Sequence, residues 1–424
     1  MSTFGGNLRF AHALQSRAFA SFWLGQTVSA LGDGAFLTAL AVAVYQLTRS
    51  SLVMGLFLMA QITPQILLTL FAGVLVDRLP RRLVLLGADI GRALTVLLIA
   101  LLAWLHLLQL WHLFLLAVLF GFCRAFFDPA CRAITPQLVV KEHFSSANAL
   151  VGLSLQSGYL LGPVLGASFI ALGNGSAYLA FAFDALTFLI SVCSLLLIHP
   201  LPSIIQEPTA TERRVSLFGP RSMLGEVSSG FRTILASHWL SLSLFAATFT
   251  LVSYVGCMSV ALPKLVFTVY TAGPWLLATI TTATAVGSVL GVLLVGQFRL
   301  RRRAIIAFLS YILAGLALLV FSLPLPHALV PLIVTPAAFL VGFGMNVMET
   351  IWATLLYELV PSEMLGRVSS VDLLGTLSLS PFGYVLAGWA SDRFGPPAVF
   401  LGAGLLVVLI NSAPLLLRDI RELE

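Results

Sequence analysis

Twelve apolar runs dominate this chain of 424 residues, each close to the roughly 20 residues that cross about 30 Å of hydrocarbon as a helix. They lie near 19–46, 52–76, 83–105, 108–127, 145–172, 176–198, 238–263, 273–298, 304–323, 327–355, 367–390 and 396–417. In hydrocarbon every backbone N–H and C=O must find its partner inside the chain, which leaves only helices and closed barrels. A barrel would need alternating segments of about ten residues, and no such alternation is present. Nor is there enough polar material for a soluble globule. Only 9% of the residues are charged, where a soluble domain carries about 25%. The expected fold class is an all-α polytopic membrane protein with twelve transmembrane helices.

Basic residues orient the chain, because cytoplasmic segments collect Lys and Arg. With the N-terminus inside, nineteen basic residues fall on the cytoplasmic side. Only Arg49, Lys264 and Arg393 fall outside, and Arg92 sits within a span. Both termini are therefore expected in the cytoplasm, and the formal net charge of +6 reflects insertion and contact with anionic lipid heads. No nucleic-acid partner is expected. Arg9 and Arg17 precede an apolar run far longer than a signal-peptide core, so that run is expected to remain as the first span. The cysteines at 123, 131, 193 and 257 lack zinc-like spacing and read as small buried hydrophobes.

The longest polar interval, 200–237, separates six spans from six. This divides the chain into an N-terminal bundle (1–199), a cytoplasmic linker (200–237) and a C-terminal bundle (238–424). The stretch "MLGEVSSGFRTIL" within the linker has the composition of a surface-lying amphipathic helix. The halves echo each other. "QLVVKEHF" (137–144) precedes span five and "ELVPSEML" (358–365) precedes span eleven, an offset of 221 residues that also carries Gly162 onto Gly383. "AGVLVDR" (72–78) is echoed by "AGWASDR" (387–393). Duplication of a six-span unit is a transporter signature, and it places a substrate site near mid-membrane where the repeats meet.

The stretch "LVDRLPRRL" (75–83) sets four charges in one short turn between two apolar runs. With Gly73, Leu75, Asp77, Arg78, Arg81 and Arg82 it resembles the loop 2–3 signature of the major facilitator superfamily, with Pro80 standing where glycine is usual. Gly73 permits close helix approach. Asp77 can accept hydrogen bonds from the free N–H groups that begin a facing helix, expected to be span eleven. Arg81 is expected to pair with Asp128 of "FFDPA" on span four. The resemblance makes these residues a conformational latch, against the plainer reading of a positive-inside anchor. Span five carries "GYLLGPVLG", whose Gly158, Gly162, Pro163 and Gly166 fit the pattern the superfamily associates with antiporters. Their four-residue spacing, begun by Ser154, makes a flat stripe for another helix, and Ala283, Gly287 and Gly291 on span eight offer the expected partner stripe. Further stretches in spans one, three, six and eleven, including "SALGDGAF" (29–36), "DIGRALTVLL" (89–98) and "FDALTFLIS" (183–191), are similar to macrolide-efflux-like and siderophore-exporter carriers. The resemblance covers essentially the whole chain and implies two pseudo-symmetric six-helix bundles.

Charge inside a membrane is costly enough to mark function. Asp33 on span one and Arg92 on span three both fall near mid-depth. Either they form a static bridge, or Asp33 binds and releases a coupling proton. Glu349 in "MNVMETIW" is the leading acid of the second half, while Asp184 and Asp372 read as structural. Gln26, Gln61, Gln65, Tyr254, Met345, Asn346, Met348 and Trp352 are expected to line a cavity, where aromatic and Met side chains tolerate varied apolar ligands.

No P-loop, H-E-x-x-H or G-x-S-x-G motif occurs, so no enzyme activity, catalytic residue, cofactor or metal is expected. Without an ATP-binding domain, the energy must come from an ion gradient or from the substrate's own. The function expected is secondary active transport: a monomeric, proton-coupled exporter of lipophilic small molecules in a bacterial inner membrane. A lipid, lysophospholipid or siderophore transporter of the same fold is the alternative. A facilitative uptake carrier would differ in showing no dependence on acidic residues or on ΔpH.

Overall fold

A computed structural model describes the backbone of residues 13–198, 238–298, 301–360 and 362–416; within these, side chains at 69–70, 73–74, 77, 238–239, 357, 362–374 and 376–377 are not described. The linker expected at 200–237 therefore lies outside the described residues.

Among the described residues, twelve long helices follow one another: α1 (Arg17–Thr48), α2 (Ser51–Arg78), α3 (Arg81–Trp104), α4 (Leu110–Leu138), α5 (Phe144–Leu172) and α6 (Tyr178–Leu196), then α7 (His238–Gly256), α8 (Pro274–Gln297), α9 (Arg303–Val320), α10 (Val330–Leu359), α11 (Ser362–Phe394) and α12 (Pro396–Ser412). Helix α7 runs on through π-helical turns at Cys257–Ala261 and Leu265–Val269, with Pro263 between them. Among the described residues there is no strand, and eleven helices are long and apolar enough to cross a membrane.

Local chemistry sets the helix ends. The hydroxyls of Ser16 and Ser50 accept the N–H groups of Phe19 (3.3 Å) and Val53 (3.2 Å) and so begin α1 and α2. Pro80 begins α3 with φ −58°, its carbonyl taking the Leu83 N–H at 2.8 Å. Leu79, just before it, is extended at φ −107°. No residue of this turn is left-handed, so the glycine usual at position 80 is not required. Gly395, at φ +88°, is different: it makes the sharp turn between α11 and α12, and Pro396 follows at the first helical position.

Polarity is inverted relative to a soluble bundle. On α3, Asp89 and Arg92 are 0% and 2% exposed, while Leu94 and Leu98 are 61% and 44% exposed. This is the pattern of a helix with lipid on its outer face.

The chain divides into two compact units, Met1–Leu201 with Pro263–Ala285, and Pro202–Leu262 with Val286–Glu424. In the first, α1 packs on α5 and α6, α2 on α4, and α3 on α4 and α6. Phe19, Phe22, Leu85, Phe127, Ile134 and Leu195 join in a buried core there. In the second, α7 packs on α11 and α12, and α9 on α10 and α12. Gly287 and Gly291 of α8 meet Phe339 and Phe343 of α10. Adding six to each helix number converts the first set of neighbours into the second. The 221-residue echo thus corresponds to repeated packing: Gly162 lies against Gly34 of α1, and Gly383 against Val252 of α7.

Candidate functional site

The interior of the first unit holds a polar cluster where α1, α3, α4 and α6 converge. Asp89 and Arg92 stand three residues apart on α3, on one helical face, and their carboxylate and guanidinium form a buried ion pair. Ser191 of α6 donates to Asp89 Oδ2 at 2.7 Å, and Gln26 of α1 donates to Ser191 at 3.0 Å. The Arg92 guanidinium lies 3.8 Å from the ring centroid of Phe127 and 4.5 Å from that of Phe188, a desolvated cation–π arrangement. Arg92 is therefore held by Asp89, and of the two readings left open by the sequence the static Asp33–Arg92 bridge is not formed. A partner on the same helix needs no tertiary alignment, and the i, i+3 spacing supplies it.

Asp33, half-buried on α1, has no hydrogen bond or ion pair among the described residues; it lies within electrostatic reach of Arg92, Arg124, Asp89 and Asp128. Asp184 of α6 is fully buried. Its Oδ1 receives the Thr187 hydroxyl at 3.3 Å, and its Oδ2 has no partner. The backbone of Gly32 runs so close that a Cβ there would lie 2.4 Å from Asp184 Oδ1 and 2.1 Å from Thr187 Oγ1. Only glycine at that position lets the acid of α6 reach the turn that carries Asp33.

Toward the α2–α3 turn, Asp128 accepts from Gln65 Nε2 at 2.8 Å and lies 3.8 Å from Arg124 Nε. Arg81 donates instead to the Ala133 carbonyl at 2.9 Å, so the expected Arg81–Asp128 pair is absent. Arg82 donates to the carbonyls of Leu195 (2.8 Å) and Leu196 (3.0 Å), closing the C-terminus of α6 where a cation is favoured. Arg78 is exposed at the end of α2. The surroundings of Gly73 and the side chain of Asp77, on which the latch reading depends, lie outside what is described, as does the side chain of Asp372.

The glycines of α5 lie against α1, while the expected approach of α8 to α5 is made beside them, Thr282 of α8 donating to the Leu160 carbonyl at 3.1 Å. Cβ atoms built at Gly158, Gly162 and Gly166 would lie 2.4 Å from the Ala30 carbonyl, 2.5 Å from Gly34 Cα and 2.7 Å from the Ala35 carbonyl. The stripe is consumed by α1 within the first unit. The α8 stripe is likewise consumed by α10, a Cβ at Gly287 falling 2.0 Å from the Phe339 carbonyl. Small residues mark a close approach but not which helix makes it.

Of the expected cavity residues, Gln26 and Gln65 are engaged as described, and Asn346 donates to Ser288 at 2.8 Å. The Gln61 backbone carbonyl packs on Gly121, and Tyr254 is half-buried. Met345, Met348 and Trp352 are buried, the last two lining a small apolar pocket with Ser243, Phe308 and Leu355. Glu349 lies on the exposed side of α10. Sequence reasoning passed over Asp89, Ser191 and Thr187. The Asp89–Arg92 spacing was a usable signal for the first; nothing local pointed to the other two.

A family model described as Major Facilitator Superfamily matches residues 22–379. Macrolide efflux protein A of Streptococcus pyogenes is 25% identical over 410 residues, 96% of this chain and 97% of its own. Enterobactin exporter EntS of Escherichia coli O1:K1 / APEC is 27% identical over 421 residues, covering 93% and 92%. Among solved structures, a variant of the nucleoside transporter NupG matches with a TM-score of 0.71 at 12% identity, over 93% of this chain and 98% of that one, a likeness of fold alone.

Proposed function

Because the chain belongs to the major facilitator superfamily, we propose that it is a proton-coupled exporter of lipophilic small molecules working by alternating access. It acts as a monomer in a bacterial inner membrane, both termini cytoplasmic, its basic loops against anionic lipid heads. Export is supported by two relatives whose names describe outward transport of different cargoes. The observation that carries the coupling is Asp33. It is a carboxyl inside a spanning helix with no hydrogen bond or ion pair among the described residues, in an interior whose Arg92 is already bound to Asp89. An intramembrane acid left uncommitted in this way is suited to take and release a proton. Glu349 serves as the acid of the second half, Met348 and Trp352 as apolar contacts for cargo, and Gly73, Asp77, Arg78, Arg81 and Arg82 as the conformational latch.

The test is ΔpH-driven transport in proteoliposomes, using fluorescent lipophilic cations and a macrolide, with Asp33→Asn and Glu349→Gln at verified equal folding. Gradient-dependent accumulation that disappears in Asp33→Asn supports the reading. Normal accumulation in Asp33→Asn removes that carboxyl from the coupling.

A further inference from the structure

We propose that Asp128 of α4 is a cargo-binding residue: its Oδ1 atom receives the N–H of a protonated amine on a lipophilic cation, while Gln65 and Arg124 hold the carboxyl by its other oxygen. This rests on the export reading above for its place in transport, and it names the chemical class of cargo.

Position is the first ground. Gln65 stands at the midpoint of α2 and Arg124 at the midpoint of α4, helices of 28 and 29 residues, with Asp128 one turn further along α4. The two helices cross closely where a Cβ at Gly121 would lie 1.9 Å from the Gln61 carbonyl. Just past that crossing, Gln65 reaches Asp128. The side chains of Arg124 and Asp128 are 40% and 37% exposed, whereas those of Arg92 and Asp89 are 3% and 0% exposed. Charged groups this open in the middle of spanning helices do not face lipid tails; they line a path for water or cargo.

Partner geometry is the second ground. A carboxylate has room for about four hydrogen bonds, shared between its two oxygens. Both partners of Asp128 gather on Oδ2, where Gln65 Nε2 donates at 2.8 Å and Arg124 Nε lies at 3.8 Å. The longer separation is beyond hydrogen-bond distance, so Arg124 acts on Asp128 through its charge. Oδ1 accepts from no group among the described residues. A structural carboxylate uses both oxygens, as Asp89 does with Arg92 on Oδ1 and Ser191 on Oδ2. The same turn of α4 adds a second acceptor, because Pro129 has no N–H to give the Ala125 carbonyl. Open acceptors on a carboxylate suit a ligand that donates. A protonated amine makes the charge-assisted bond to Oδ1; a quaternary ammonium has no N–H to give, and an anionic head would be repelled.

The experiment is equilibrium binding of radiolabelled imipramine, a lipophilic tertiary amine, to the purified full chain in lipid nanodiscs without any gradient, in parallel with its quaternary N-methyl derivative. The wild type is expected to bind the tertiary amine about 10–100-fold more tightly than the quaternary one, the worth of one hydrogen bond to a charged group. Asp128→Asn should erase that preference, Asp128→Glu should keep it, and Gln65→Leu should reduce it. If Asp128→Asn does not fold, the wild-type comparison and Gln65→Leu decide. Absence of imipramine binding, equal affinity for the two compounds in the wild type, or a preference that survives in Asp128→Asn overturns the site. A preference that depends on Asp128 in a protein without ΔpH-driven transport refutes the export reading and leaves the site standing. ΔpH-driven export by a chain whose preference survives in Asp128→Asn does the reverse.

Discussion

Gly162→Ala is the substitution whose consequence follows most directly from the packing. The new Cβ would lie 2.5 Å from Gly34 Cα, 2.7 Å from Gly34 C and 3.0 Å from Ala35 N. All three are backbone atoms of α1 and cannot rotate away. Carbon atoms rest at about 3.5–4.0 Å, so α1 and α5 must separate by about 1 Å. That separation loosens the adjoining approaches of Gly158 to Ala30 and Gly166 to Ala35. Overpacking of this kind costs about 1–3 kcal/mol. The assay is thermal unfolding of purified protein in detergent, with ΔpH-driven transport measured in parallel. The control is Gly152→Ala on the same helix, where an added Cβ meets nothing within 4 Å and helix propensity favours alanine by about 1 kcal/mol. Gly162→Ala should unfold at a lower temperature than the wild type, and Gly152→Ala should not. Equal unfolding temperatures for the two variants would refute the packing argument.

Asp89→Asn leaves the Arg92 cation buried without its counter-charge, a loss of about 3–5 kcal/mol seen as lower thermal stability; the double variant Asp89→Leu/Arg92→Met should recover most of it. A double-mutant cycle between Arg81 and Asp128 should give a coupling below about 0.5 kcal/mol, because Arg81 bonds the Ala133 carbonyl and Asp128 lies with Gln65 and Arg124; a larger coupling would restore the pair read from the sequence. Gly32→Ala should disturb Asp184 and Thr187, which lie 2.4 Å and 2.1 Å from the added Cβ, and should alter the pH profile of transport more than Gly152→Ala does.

The spans were legible because a hydrocarbon solvent imposes a length and an apolar character that composition alone reveals. Run 145–172 became Phe144–Leu172, and run 52–76 became Ser51–Arg78. The helices extend into flanking polar residues because backbone pairing continues past the hydrocarbon edge. The duplication was also legible, since the repeated packing of Gly162 and Gly383 follows a fixed offset. Partners were not. The α5 glycines fit any closely approaching helix, and their spacing carries nothing that distinguishes α1 from α8. Arg92 has an acid three residues away and another fifty-nine residues away, and depth along the span does not separate them; the helical face shared by Asp89 and Arg92 does. The burial of Asp184 against Gly32 depends on the α1–α6 contact, which no local pattern encodes.

The central claim, that cargo leaves in exchange for protons, is tested most directly by the proton flux that cargo itself evokes. Proteoliposomes loaded with a pH-sensitive dye and held without a pH gradient would receive an outward-directed gradient of a fluorescent lipophilic cation. The account predicts proton movement into the vesicles as the cation leaves, present in the wild type and absent in Asp33→Asn. Cation efflux with no proton movement in the wild type would contradict it.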